Sequence, residues 1–272
     1  MCIRDSLFTT AITVKADAQD TVRVWVTYQS GRKAEVFQTL TRENANVHYD
    51  FPELEAYVVS LPAAALNGIL RNPFVTAVEN DPERYPVEPV RVDLDSLFED
   101  TLDINGQTIP WGIDAVQARE VWDPDADTVV EPGTPSGEGR KVCIIDTGYY
   151  ADHEDLLDEV DGVTGMSQVD DDWTYDGYGH GTHVAGTISA LNNDYGVVGV
   201  SPGMVDLHIV KIFDNSGAWV SKARASDLTA AIYECQSAGA NVISMSLSGS
   251  GSNNKEQQAF DELYAAGILH VA

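Results

Sequence analysis

Three apolar runs, residues 141–145, 207–212 and 241–247, alternate with segments of helical pattern, and this alternation constrains the fold most. A strand covered on both faces reads as a continuous apolar run, and strands separated by helices are joined by crossovers, so a parallel sheet is predicted. The helices are expected near 181–191, 226–238 and 255–266, with Gly239 and Gly267 where C-caps belong. Residues 107–272 are therefore predicted to form an α/β domain. The last run, Gly267 to Ala272, begins a strand; a core strand that stopped there would leave ladder partners unsatisfied, so the domain is expected to be incomplete.

Two further blocks precede it. Residues 20–81 carry Thr21–Thr27 as an alternating strand, a polar helical stretch at 33–45, a strand at Ala56–Leu61, a short helix opened by Pro62, and a strand at Phe74–Glu79. A further strand is expected near Val47 to Tyr49, giving a small α+β sandwich. Residues 82–106 hold Pro82, Pro86 and Pro89 and the acids Asp93, Asp95, Glu99, Asp100 and Asp103, a composition suited to an exposed linker. Residues 1–19 read as a residual leader, with Ala16-Asp17-Ala18 fitting a small-residue cleavage pattern; an ordinary frayed end is the alternative. The first six residues are expected to be non-native.

Charge and cysteine content narrow the function classes. The net charge of −27 argues against nucleic-acid binding and against adsorption to an anionic membrane. No apolar stretch is long enough to span a bilayer. Cys2, Cys143 and Cys235 show no metal spacing and no disulfide framework; Cys143, inside Val142-Cys143-Ile144-Ile145, reads as a small buried hydrophobe.

Two motifs carry chemistry. Lys141–Gly148 is an apolar strand delivering Asp146 at its carboxyl end, followed by a glycine turn, where open α/β sheets place their ligands. An aspartate there can orient an imidazole, although strand-end aspartates are also plain turn formers. Gly179-His180-Gly181-Thr182-His183-Val184-Ala185-Gly186-Thr187 follows, with His180 at the start of a small-residue helix whose positive dipole end disfavours imidazolium. Gly181, Ala185 and Gly186 are expected to let the helix approach the sheet. No glutamate follows His180 in the His-Glu-x-x-His arrangement, which disfavours zinc hydrolysis.

Together, Asp146-Thr147-Gly148 and His180 to Thr187 resemble the aspartate and histidine motifs of subtilisin-like serine proteases, the subtilase family. The resemblance continues through Gly196 to Pro202, Val210-Lys211 and Asn241 to Leu247, and covers essentially all of 107–272. It implies an Asp-His-Ser triad with His180 as general base and Asp146 as its orienting carboxylate. His183 is expected to be structural, packed under the helix. The family's nucleophile sits in a Gly-Thr-Ser-Met type segment that this sequence lacks, and its oxyanion asparagine would follow Ala272. The resemblance thus implies a zymogen of a serine endopeptidase, truncated before the serine and itself inactive.

The resemblance also implies a substrate cleft. Ser246, Leu247 and Ser248 would line the specificity pocket, with Ser248 where the family has glycine; Gly217, Ala218 and Trp219 would pair with an extended peptide, or form a plain surface turn. Structural Ca²⁺ is implied at the backbone carbonyls of Leu191, Tyr195 and Val197, the Asn193 side chain, Asp155 and Gln107, against the alternative of a metal-free polar loop. Asp170, Asp171, Asp172 and Asp176 read as a solvated acidic loop that could hold another cation. Residues 20–81 resemble the family's ferredoxin-like inhibitory propeptide, cut away within 102–106. Implied partners are polypeptide substrates and the chain's own propeptide over the cleft, in a secreted or periplasmic monomer. The rival reading is a noncatalytic peptide-binding or inhibitory relative.

Overall fold

The computed structural model describes residues 20–87, 100–102, 106–125, 127–170, 172–217 and 220–272. The leader, most of the 102–106 window, Asp93, Asp95, Glu99, Asp171, Ala218 and Trp219 lie outside the described residues. The chain forms two compact units that divide after Asp81.

The first unit runs β1 (Thr21–Tyr28), α1 (Lys33–Arg42), β2 (Asn46–Phe51), β3 (Ala56–Pro62), α2 (Leu66–Leu70) and β4 (Val75–Asn80). Its sheet has the order β2-β3-β1-β4, antiparallel throughout. Strand alternation sends Val24, Val26, Val59 and Leu61 to one face, where Val36 and Leu40 of α1 and Ile69 of α2 close the core. Asp81 ends the unit in a buried polar cluster: its Oδ1 accepts from Trp25 Nε1 at 3.0 Å, and its Oδ2 forms an ion pair with Arg23, whose Nε lies 2.8 Å away.

The second unit contains β5 (Glu83–Pro86), β6 (Thr101–Leu102), β7 (Thr108–Ile109), α3 (Trp111–Ala115), α4 (Ala118–Trp122), β8 (Lys141–Asp146), β9 (Thr164–Ser167) and α5 (His180–Ser189). It continues with β10 (Asp206–Lys211), β11 (Ala223–Arg224), α6 (Ala225–Ser237), β12 (Val242–Ser244), β13 (Leu247–Ser248), α7 (Asn254–Ala265) and β14 (Leu269–Val271). The main sheet is parallel, ordered β14-β12-β8-β10-β9. Ile144, Leu207 and Ile209 of its strands pack with Ala185 of α5 and with Tyr149 in one core cluster. Ala238 and Ala266 close α6 and α7, and Gly239 and Gly267 follow at positive φ, the left-handed position that stops each helix.

Two expectations change here. Cys143 of β8 and Cys235 of α6 are joined by a disulfide that ties the helix to the sheet across 92 residues. Each side chain is fully buried, as a hydrophobe would be, so the local sequence gives no hint of the bond. Residues 83–86, expected to be linker, form β5 at the centre of a three-stranded sheet ordered β11-β5-β13. Alternation buries Arg84 and Pro86 and turns Glu83 and Tyr85 outward.

Candidate active site

β8 ends on Asp146 at the carboxyl edge of the sheet, and α5 begins with His180 beside it. His180 Nδ1 lies 2.7 Å from Asp146 Oδ1, and the two side chains are 9% and 1% exposed. A carboxylate only accepts hydrogen bonds, so Nδ1 carries the proton and Nε2 keeps the lone pair that a general base needs. Asp146 Oδ1 also accepts from the Thr147 amide at 2.7 Å. The close approach requires Gly181, since a Cβ there would lie 2.3 Å from the Gly148 carbonyl oxygen and 3.1 Å from Asp146 Cβ. Gly186 is not a contact of this kind: a Cβ there would meet nothing within 4 Å.

The hydrogen bond to the Asp146 carboxylate raises the His180 pKa above the ordinary histidine value, against a smaller lowering by desolvation. A hydrogen bond to the Val87 backbone adds to the rise. The direction is opposite to the one expected from the helix terminus. Burial raises the Asp146 carboxyl, and its hydrogen bonds with His180 and Thr147 oppose that rise.

Asp176, read from the sequence as part of a solvated acidic loop, is buried and holds the start of α5. Its Oδ1 accepts from Thr147 Oγ1 at 2.9 Å and from the Gly179 amide at 2.8 Å. Its Oδ2 accepts from the Thr182 amide at 2.9 Å and Thr182 Oγ1 at 2.8 Å. Thr147 Oγ1 in turn accepts from the Gly181 amide at 2.9 Å, so strand end, loop and helix start share one network. Asp170 pairs with Lys211 Nζ at 3.1 Å; that buried ammonium also donates to the Tyr175 carbonyl at 2.7 Å and fixes the loop carrying Asp176. His183 is exposed rather than packed under the helix, because its position on α5 faces away from the sheet.

Beside His180 runs β5. Leu247 and Ser248 pair with Pro86 and Tyr85 on one side, and Ala223 and Arg224 pair with Arg84 and Glu83 on the other, both antiparallel. The Val87 amide donates to the Ser246 carbonyl at 3.0 Å. Val87, His180, His183, Val184, Tyr178 and Ser246 line a cavity of about 460 Å³. Ser246, Leu247 and Ser248 are thus brought against β5 and Val87. Gly217 is not: the opposite edge is Ala223–Arg224, while Gly217 turns at φ +93° beside the Tyr178 ring. That edge is fixed by Asp227, whose Oδ2 accepts from the Arg224 amide at 2.8 Å, and by the pairing of Lys222 with Glu83 at 2.8 Å.

The profile of the subtilase family (peptidase S8) matches residues 137–272, half of the chain. The chain belongs to the subtilase family. A stretch of 166 residues is 40% identical to Subtilisin DY of Bacillus licheniformis, covering 61% of this chain and 54% of that protein. A stretch of 229 residues is 31% identical to the Thermostable alkaline protease of Halalkalibacterium halodurans, covering 84% and 53%. The chain spans about half the length of the curated relatives it matches. The crystal structure of fervidolysin from Fervidobacterium pennivorans shares the fold at a TM-score of 0.71 and 24% identity, covering 93% of this subtilase and 39% of that chain.

The residues that resemble the family's calcium loop converge in this subtilase. Gln107 Nε2 lies 2.8 Å from the Leu191 carbonyl, 3.2 Å from Asn193 Oδ1, 3.0 Å from the Tyr195 carbonyl and 3.1 Å from the Val197 carbonyl. Asp155 closes the ring, its Oδ1 accepting from Asn193 Nδ2 at 3.0 Å and its Oδ2 from the Val197 amide at 2.8 Å. An amide nitrogen has two protons and cannot satisfy four oxygens, so it stands where a cation fits the donor set better.

A second oxygen cluster was missed in the sequence. Asp123, Asp125, Asp127 and Glu131 place carboxylate oxygens within 4.8 Å of one another. Desolvation and the neighbouring Asp125 raise the Glu131 pKa. The signal was readable as three aspartates at alternate positions with a glutamate four residues on.

Proposed function

We propose that this subtilase is the zymogen form of a secreted serine endopeptidase, in which His180 is the general base and Asp146 holds it. The observation that carries the reading is the 2.7 Å contact between His180 Nδ1 and Asp146 Oδ1 at the carboxyl edge of the parallel sheet. In the acylation step His180 Nε2 takes the proton of a serine hydroxyl as its oxygen attacks the substrate carbonyl, and the imidazolium then gives that proton to the leaving amine. Asp146 fixes the tautomer and stabilises the imidazolium throughout. The serine is proposed to lie in the part of the protein that the relatives have beyond the matched half.

The first unit, with its β-α-β-β-α-β order, is proposed as the ferredoxin-like inhibitory propeptide. β5 supports this, because the segment that follows the unit in the chain already occupies the position of an added substrate strand between β11 and β13. Subtilases commonly bind structural calcium. Here the Leu191, Tyr195 and Val197 carbonyls, the Asn193 and Gln107 side chains and Asp155 would hold Ca²⁺, which would supply charge compensation for a loop crowded with oxygens. Among the described residues no helix is long and apolar enough to cross a membrane. The Cys143–Cys235 bond favours an oxidising compartment, which supports secretion.

The test is covalent labelling of the full-length protein, from its complete coding sequence, by a fluorophosphonate. Labelling that disappears in His180→Ala is expected. Absence of labelling in a folded, processed full-length protein would favour a noncatalytic peptide-binding relative.

A further inference from the structure

Arg84 is a residue that a linker has no reason to bury, yet it is 7% exposed. Its guanidinium meets Glu256 in a two-pronged pair, Nε to Oε1 at 3.0 Å and Nη2 to Oε2 at 2.5 Å, and the Glu256 side chain is 9% exposed. Glu256 is itself fixed in place, because the Asn253 side chain caps α7 by accepting from the Glu256 amide at 3.1 Å and the Lys255 amide at 2.9 Å. A buried carboxylate is costly unless a cation meets it, so the pocket that holds Glu256 is built for a guanidinium.

The strand's register says what that guanidinium is relative to the chemistry. Val87 places its backbone against His180 and donates its amide to Ser246, so its carbonyl is the one beside the general base. Counting back, Pro86 and Tyr85 pair with Leu247 and Ser248, and Arg84 is the fourth residue from that carbonyl. Gly249 makes room for the same strand, since a Cβ there would lie 2.4 Å from the Glu83 carbonyl oxygen and 2.9 Å from Arg84 Nη1.

Resting on the protease reading above, we propose that Glu256 forms an arginine pocket that selects substrates with arginine at the fourth position before the cleaved bond. The bond between Val87 and Glu88 is accordingly the chain's own processing site, rather than one within 102–106. Arg84 is the chain's internal example of the preferred residue. Hydrolysis there adds water across the amide, leaving a carboxylate on Val87 and a free amine on Glu88.

Two measurements decide this. On the 272-residue chain, which needs no nucleophile for the assay, limited trypsin digestion is followed by mass spectrometry at the Arg84–Tyr85 bond. Protection is expected, with cleavage faster by about thirty-fold in Glu256→Gln, the change that loss of one partner of a buried charge pair brings. Equal rates in the two proteins would overturn the pocket. On the full-length enzyme, processing should yield an N-terminus at Glu88. The processed form should cleave Glu-Arg-Tyr-Pro-Val peptides over their Leu-for-Arg analogues by about thirty-fold in kcat/KM. That ratio should collapse toward one in Glu256→Gln and turn toward a glutamate peptide in Glu256→Arg; being a ratio, it does not depend on the fraction folded. A ratio unchanged by Glu256→Gln, or an N-terminus elsewhere, in an enzyme that still takes the fluorophosphonate overturns the proposal and leaves the protease reading standing. A full-length protein that neither labels nor hydrolyses sinks the protease reading, and the trypsin comparison then decides the pocket by itself.

Discussion

Replacing Asp176 by asparagine should loosen the start of α5 and lower the stability of the second unit without touching its core. The Asp176 carboxylate accepts four hydrogen bonds, two on each oxygen, from Thr147 Oγ1, the Gly179 amide, the Thr182 amide and Thr182 Oγ1. Asparagine keeps one oxygen and turns an amide group with two protons toward the donors of the other. Hydrogen bonds to a charged group contribute about 1.5–3 kcal/mol each, and a donor left without a partner in a buried site costs about 1–3 kcal/mol. Hydroxyls can rotate to new partners while the backbone amides cannot, so the net loss should be about 2–3 kcal/mol. For a unit of this size that corresponds to a fall in Tm of roughly 4–12 °C. Thermal unfolding of the 272-residue chain by circular dichroism reads the shift, and amide exchange at Gly181 and Thr182 should accelerate in parallel. A change below about 1 kcal/mol, with exchange at those amides unaltered, would refute the view that Asp176 fixes the histidine helix.

Four other outcomes follow from the same structure. Because Cys143 and Cys235 close a long loop, the Cys143→Ala/Cys235→Ala pair should lose up to about 4–5 kcal/mol in denaturant unfolding, and the wild type should lose a similar amount on reduction. Millimolar Ca²⁺ should stabilise the wild type by about 2.7 kcal/mol at a hundredfold excess over Kd, read as a higher Tm that chelation reverses, and Asp155→Ala should abolish the response. The His180 pKa is raised chiefly by Asp146, so hydrolysis by the full-length protein should fall as pH drops through a value above about 6.5; in Asp146→Asn that acid limb should move to lower pH. His208, lowered by burial, favours its neutral form in the folded state, so its stability contribution should decline as pH falls below about 6.5, and His208→Asn should show a smaller loss over pH 7 to 5.

The parallel sheet and the Asp146–His180 pair were legible because their signals are local. Apolar runs announce buried strands, and Gly181 and Ala185 announce a helix pressed on a sheet. The disulfide was not legible, since two buried cysteines 92 residues apart carry no spacing signal. Asp176 looked like its solvated neighbours, because only the folded loop reveals which acid turns inward. β11 and β13 are two residues each and exist as strands only through β5, so no periodicity could mark them. β5 itself was hidden by Pro82 and Pro86, which read as linker, although Arg84 and Pro86 do alternate inward as in any strand. The pairing of Ala223 and Arg224 with β5 had no local signal, because it follows the backbone register rather than a motif.

His180, held by Asp146, is proposed as the base of a proteolytic site. The deciding measurement is kcat/KM of the full-length protein on one peptide for the wild type, His180→Ala and Asp146→Asn. His180→Ala should lose on the order of 10⁶-fold and Asp146→Asn on the order of 10⁴-fold while both remain folded. Either variant retaining activity within a few-fold of the wild type would contradict that role.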